Sequence, residues 1–146
     1  MDTKKIMADF QFINNKVIKF SMENNLLDTK QKPIKVDFDI DYEVIRCDET
    51  DRGYYGTIHF IVNITGNIEE SETFKIHLKM GGNFIGSKNS LAVDKFREML
   101  EVNGTATLSQ ITRAYLTSVT ALSGIPAIIL PMVNVYAMKR YKESNK

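Results

Sequence analysis

Three groupings in this 146-residue chain have the residue types and spacing to suggest chemistry. His59 and His77 fall on the same polar phase of neighbouring predicted strands, an arrangement open to an acid–base pair or a two-imidazole ligand set, and equally to two solvated strand positions. Asp37, Asp39 and Asp41 resemble the opening of a calcium loop. However, Tyr42 stands where such a loop needs glycine, and apolar residues fill the intervening positions, so the carboxylates read as the wet face of a strand. Cys47 is the only cysteine and has no histidine near it in sequence. It reads as a free thiol, with no disulfide partner and no second thiolate for a metal. Gly81-Gly82 belongs to neither a dinucleotide nor a Walker pattern. The two sequons, Asn63-Ile64-Thr65 and Asn103-Gly104-Thr105, carry no weight without a secretion signal. No cofactor, metal or catalytic residue is expected.

The elements that would position these groups belong to one domain spanning 1–146, since the length supports a single core. Nineteen basic against eighteen acidic residues leave a net charge of +1, which excludes the dominant phosphate-binding surface of a nucleic-acid protein. The N-terminal residues lack an uninterrupted apolar stretch, so no export signal is read and a cytoplasmic location is expected. The most apolar region, Val119 to Val133, is broken by Ser123, Gly124, Pro126 and Pro131. It is shorter than the roughly 20 residues of a spanning helix, so no membrane insertion is expected.

Period-two patterning begins after Pro33, where Ile34, Val36, Phe38, Ile40, Tyr42 and Val44 alternate with charged residues. Cys47 to Gly53 reads as a turn. A second run follows through Ile58, Phe60, Val62 and Ile64, then a turn at Gly66-Asn67 and Glu69 to Glu72, then a run through Phe74, Ile76, Leu78 and Met80 that closes at a Gly81-Gly82 kink. An earlier strand is read through Phe10, Phe12, Ile18, Phe20 and Met22, with a bulge near Asn14-Asn15.

The period then lengthens. Leu91, Phe96, Met99 and Leu100 predict a short helix ending at Asn103-Gly104. Thr107 would cap a long helix whose apolar positions are Leu108, Ile111, Tyr115, Val119 and Leu122, ended by Gly124. Asn134 would cap a final helix through Tyr141. Strands followed by helices make the fold class α+β: a four-stranded antiparallel sheet, then a short helix, a long helix and a C-terminal helix. The helices cover the sheet only partly, so self-association is expected.

The feature with most functional content is Thr120 to Ala137, TALSGIPAIILPMVNVYA, in which prolines hold an apolar run extended between two helices. It reads either as a strap over the chain's own core or as a wall for assembly or ligand binding. Met132 and Met138 lie at its end and just beyond, where adaptable thioethers suit a variable apolar partner.

With these residues in view, the chain resembles the SecB family of export chaperones over about residues 10–142. The resemblance rests on Ile34-Lys35-Val36-Asp37-Phe38-Asp39, on Gly81-Gly82-Asn83-Phe84, and on Arg113 followed by Gly124-Ile125-Pro126 and Leu130-Pro131-Met132-Val133-Asn134, in that order. It implies a SecB-like subunit that assembles as a dimer of dimers and binds non-native polypeptide without ATP. It also implies a hydrophobic groove flanked by the crossover between the first two strands and by the last helix.

Carried over by position, Ile34, Val36, Phe38, Leu130, Val135 and Met138 would line the groove. Ile76, Leu78 and Met80, with Tyr115 and Val119 on the long helix, would form the oligomer interface. Glu23 matches one acid through which the family docks the SecA motor, but Lys19 and His77 stand where carboxylates are expected, and Lys75 replaces an apolar neighbour. The short basic tail, Lys139 to Lys146, departs from the longer motor-binding tail. A cationic patch repels a partner suited to an anionic one, which puts SecA docking through Glu23 in doubt.

The expected function is therefore a holdase, not an enzyme, serving precursors for export or clients in general. The alternatives are a dedicated chaperone of an antitoxin in a toxin–antitoxin system, a small enzyme using His59 and His77, and a purely structural assembly subunit.

Overall fold

Alternation does produce the sheet, and its strands run longer than the turn residues suggest. The computed structural model describes residues 1–27 and 32–145. A one-turn helix α1 (Thr3–Ile6), unforeseen in the sequence, precedes β1 (Phe10–Asn24), β2 (Lys35–Thr50), β3 (Gly53–Ile68) and β4 (Ser71–Gly86). All neighbours are antiparallel in the order β1-β4-β3-β2, which leaves β1 and β2 as edges. Each strand has 15 or 16 residues, against a common length of about 5–6. The sheet is therefore longer than one layer of helix can roof along its whole length.

Two turn expectations shift for local reasons. The β2–β3 turn contracts to Asp51-Arg52, because Thr50 already pairs with Gly53, so Cys47 sits in β2. The next turn contracts to Glu69-Glu70, both at positive φ (49° and 73°), the twist that a tight hairpin requires. Bulges between Phe12 and Asn14 and between Val17 and Lys19 re-phase β1, in accord with the expected irregularity.

Gly81-Gly82 does not end its strand. It pairs with Ile58 and His59 in mid-sheet, and a Cβ on Gly82 would lie 2.5 Å from Leu108 Cδ2. The glycine serves close approach of a helix. That helix begins as α2 (Val93–Met99), passes without a break through a π-turn (Leu100–Gly104), and continues as α3 (Thr105–Ala121). Asn103-Gly104 is thus no stop. Gly104 keeps right-handed φ (−62°), and its missing side chain lets the helix lie against the Phe84 ring. Thr107 is no cap either, since its hydroxyl donates to the Asn103 carbonyl one turn back, at 2.8 Å.

The buried face of α3 is Leu108, Thr112, Leu116 and Thr120, with Thr105 and Ser109, while Leu122 is exposed. The helix is rotated from the aliphatic stripe expected, so that threonines meet the sheet and Ile111, Tyr115 and Val119 lie at the margin. The core holds Ile58, Phe60, Val62 and Ile64 of β3 with Phe74, Ile76, Leu78, Met80 and Phe84 of β4. Helix α4 (Val135–Ser144) is capped by Asn134, whose side chain accepts from Ala137 N at 3.0 Å, as its sequence predicts.

Candidate functional site

The roof over the sheet is uneven, and the site lies where it thins. The π-turn and α3 cover the end of the sheet near Gly56, Gly82 and Phe84. At the other end the inner face of β2 meets an extended strap, Ile125 to Val133. Gly124 starts the strap with φ +78°, a left-handed conformation that favours glycine, and Pro126 and Pro131 keep it from becoming helix. Its residues alternate: Ile125, Ile128 and Leu130 point inward and are buried, whereas Pro126, Ala127 and Ile129 face out.

Helix α3 holds the strap at its midpoint. Ile128 N donates to Thr120 Oγ1 at 2.9 Å, and Thr117 Oγ1 lies 3.0 Å from the Ile128 carbonyl oxygen. Both backbone polar groups of Ile128 thereby have partners on α3. Asn24, at the end of β1, donates to the Ser123 carbonyl at 2.9 Å and anchors the start of the strap.

Between this strap and the first half of β2 lies an apolar cleft of about 550 Å³, lined by Ile34, Val36, Phe38, Phe74 and Ile125–Ile129, with Lys32 and Pro33 at its mouth. Its floor depends on a glycine. Val36 pairs with Gly66, and Gly66 pairs with Phe74. A Cβ on Gly66 would fall 2.2 Å from the Phe74 ring, so the ring can lie flat across β3 only because no side chain stands there.

On the opposite side of β2 a second cleft, of about 970 Å³, opens between α4 and the outer sheet face. It is charged, with Asp39, Asp41 and Glu43 on one side, His77 and Lys79 on the other, and Met138 and Tyr141 from α4. Lys142 fastens α4 here, donating to Asp41 Oδ1 at 2.8 Å and to the Tyr42 carbonyl at 2.7 Å. The buried Tyr42 hydroxyl donates to Glu101 at 2.9 Å. Burial, then that carboxylate, raises its pKa well above the ordinary phenol value.

The residues expected to line one groove are thus divided. Ile34, Val36 and Phe38 meet in the apolar cleft. Leu130 and Val135 do not line it, because the strap's alternation and the start of α4 bury them at 1% and 6% exposure. Met138 goes to the second cleft, and Met132 is exposed outside both. Phe74, Gly66, Thr117 and Thr120 were not singled out in the sequence. An isolated glycine in a strand pattern was the available signal for the first two.

The interface residues need a similar correction. Ile76, Leu78 and Met80 are at most 1% exposed within the single chain, enclosed in its own core, so no partner subunit can reach them. Tyr115 and Val119 remain half-buried, with Tyr115 edge-on to Phe20 at 5.7 Å between centroids. Glu23 stands opposite Lys75 on the outer face.

The two histidines lie on that outer face but not together. His59 pairs with Gly81, four positions along β4 from His77, a separation of roughly 13 Å. No acid–base pair is formed between them. His77 is hydrogen-bonded to Asn63 Oδ1 at 2.7 Å instead. Cys47 faces the core side opposite Gly56, and burial raises its thiol pKa, which leaves it a poor nucleophile. Among the described residues no group of three or more potential metal ligands occurs, and no helix is long and apolar enough to cross a membrane.

A four-stranded antiparallel sheet followed by a short, a long and a C-terminal helix, with a strap closing one end, defines a SecB-like α+β fold. The Mycobacterium tuberculosis SecB-like chaperone, solved in complex with a ChAD peptide from the HigA1 antitoxin, superimposes with a TM-score of 0.71. That match covers 86% of this chain and 91% of the other at 9% identity, which establishes likeness of fold. No protein-family profile matches the chain. An uncharacterized protein of Methanocaldococcus jannaschii is 40% identical over 58 residues, so the chain spans only 37% of that relative's length.

Proposed function

We propose that this chain is an ATP-independent holdase that keeps apolar stretches of non-native polypeptide in the cleft between β2 and the strap. The observation that carries the reading is the cleft itself: about 550 Å³, open, and walled by Ile34, Val36, Phe38 and Phe74 against Ile125–Ile129. Each apolar side chain seated there leaves water at about 25 cal/mol per Å². The cleft has no charge in its floor, which suits a binder of varied sequences.

In this reading residues 1–146 act as one SecB-like domain in the cytoplasm, assembled as a dimer of dimers. The interface draws on the margin of α3 around Tyr115 and Val119 and on edge strand β1. Residues 28–31 of the crossover between β1 and β2, and Lys146 of the basic tail, lie outside the described residues. The test combines native mass in solution with suppression of aggregation of a denatured client in the absence of nucleotide. A monomer that leaves aggregation unchanged would overturn the proposal.

A second, narrower reading is a dedicated chaperone of an antitoxin. It is supported by the SecB-like chaperone of similar fold that was solved with an antitoxin peptide. A neighbouring toxin–antitoxin gene pair, together with failure to retain SecA in a pull-down, favours this reading over a role in export.

A further inference from the structure

The outer face of the sheet carries a segregation of charge that the apolar cleft does not use. Lys16 and Lys19 of β1 and Lys75 and Lys79 of β4 all project there, with His59 and His77 beside them. Lys19 stands directly opposite Lys79, a like-charge pairing that costs stability. Among the described residues none of the four lysines forms an ion pair with a carboxylate, although six other Lys or Arg residues do.

Protection of sheet edges explains charges on β1, and equally the acids Asp37, Asp39, Asp41 and Glu43 on β2, since both are edge strands. It does not explain Lys75 and Lys79, because β4 is an interior strand already paired on both sides. We infer that the β1–β4 half of the outer face is a docking surface for an acidic polypeptide segment of a partner protein.

The width of the patch favours this occupant over nucleic acid. The lysines span two strands, and the carboxylates of β2 begin two strands further on, roughly 10 Å from β4. A long polyanion lying across the face would meet all of those acids, whereas a short acidic segment running along β1 and β4 would meet only Glu23, which stands opposite Lys75 at one end of the patch. Ile61 and Asn63 lie between the two charged zones and offer apolar and amide contact to such a segment. Both histidines are held below their ordinary pKa, by burial first and by the neighbouring lysines next, with Glu43 pulling His59 the other way. The inference is independent of the holdase reading, because none of the four lysines lines the apolar cleft.

The test is fluorescence anisotropy with the full chain and a dye-labelled peptide of alternating glutamate and serine, about eight residues long, enough at roughly 3.3 Å per residue to follow the patch. The same peptide with glutamine for glutamate, and a single-stranded oligonucleotide, are the comparison ligands. The glutamate peptide should bind best, and its binding should weaken as salt rises. Lys75→Glu with Lys79→Glu should weaken it by about tenfold or more, and Lys75→Gln with Lys79→Gln less. Lys4→Glu with Lys5→Glu, the same charge change at exposed positions in α1, should leave it unaltered.

Circular dichroism checks that each variant is folded, and the glutamine pair keeps the test alive if the reversed pair is not. Client retention should persist in all three double variants, so a failure here is distinct from a failure of the holdase reading. Equal binding of the glutamate and glutamine peptides, or equal losses from the β4 and α1 pairs, would overturn the inference. So would tighter binding of the oligonucleotide. Salt-dependent self-association abolished by the β4 pair would also overturn it, because the occupant would then be the acidic β2 of a second copy.

Discussion

The two sides of β2 bear opposite chemistry from one run of alternating residues. Val36 and Phe38 face inward and, with Ile34 just before the strand, wall an apolar cleft against the strap, while Asp37, Asp39, Asp41 and Glu43 face outward on a charged sheet surface. The strand period of two places these sets back to back with only the backbone between them. The two faces of the sheet can thus be addressed by adjacent residues of β2 without interfering. Over Val36 to Asp39 a substitution of even phase should act on the inner surface alone, and one of odd phase on the outer surface alone.

The largest break comes from placing a charge on the inner phase. Phe38→Asp should weaken retention of an apolar client by on the order of a hundredfold, because an unpaired carboxylate would be desolvated whenever the cleft is filled. Asp39→Ala, one residue away, should leave retention unchanged in the same aggregation assay. Equal losses from both would mean that β2 acts as an edge and not through its faces.

Next in size is the floor of the cleft. Gly66→Val drives a side chain into the Phe74 ring, where a Cβ has only 2.2 Å. It should lower unfolding free energy by about 1–3 kcal/mol, read from denaturant midpoints. A variant as stable as the parent would show that the ring has another place to go.

Much of this was legible in the sequence and some was not, for identifiable reasons. Alternation at Val36, Phe38 and Ile40 sets the inner phase of β2, and the prolines and Gly124 define the strap. Asn134 marks the start of α4. The turns were misjudged because charged and glycine residues were read as loop. Glycine at 66, 82 and 104 instead makes room for Phe74, for Leu108 and for the helix on Phe84. Such needs arise only from contacts distant in sequence.

The rotation of α3 was hidden similarly. Thr112 and Thr120 look like surface residues until tertiary contacts bury them, and Thr120 is inside because it holds Ile128. Burial of Ile76, Leu78 and Met80 also depends on how far α3 and the strap reach, which periodicity does not report.

Thr120→Val tests the strap more gently. It keeps the shape but removes the acceptor for the Ile128 N–H, which lies in a buried setting. The expected cost is about 1–2 kcal/mol, with weaker client retention as the strap loosens and no change in binding of the acidic peptide. Hydrogen exchange at Ile128 should quicken selectively. Unchanged protection there would mean that Thr117 and the inward isoleucines suffice to hold the strap.

The smallest effect, and the sharpest probe of the outer face, is the pH response of the two histidines. Both are held below the ordinary imidazole value of 6.5, His59 by burial and then Lys79 and Lys16 against an opposing pull from Glu43, His77 by burial and then Lys19 and Lys79. Because the folded values lie below the unfolded one, the unfolded chain takes up protons first as pH falls. Their contribution to stability is therefore complete above 6.5 and is lost as pH drops through the unfolded value toward the folded ones. The denaturation midpoint should decline modestly over that window. Resonance titration separates the lysines: Lys79→Gln should raise both histidines, Lys19→Gln His77 alone, and Lys16→Gln His59 alone. Bound acidic peptide should raise both, whereas a client in the apolar cleft should move neither, since neither histidine lines it. Titration of both at or above 6.5 in the free protein would mean that neither burial nor the lysines acts on these imidazoles as their placement requires, and the contrast between the two sides of the sheet would lose its electrostatic half.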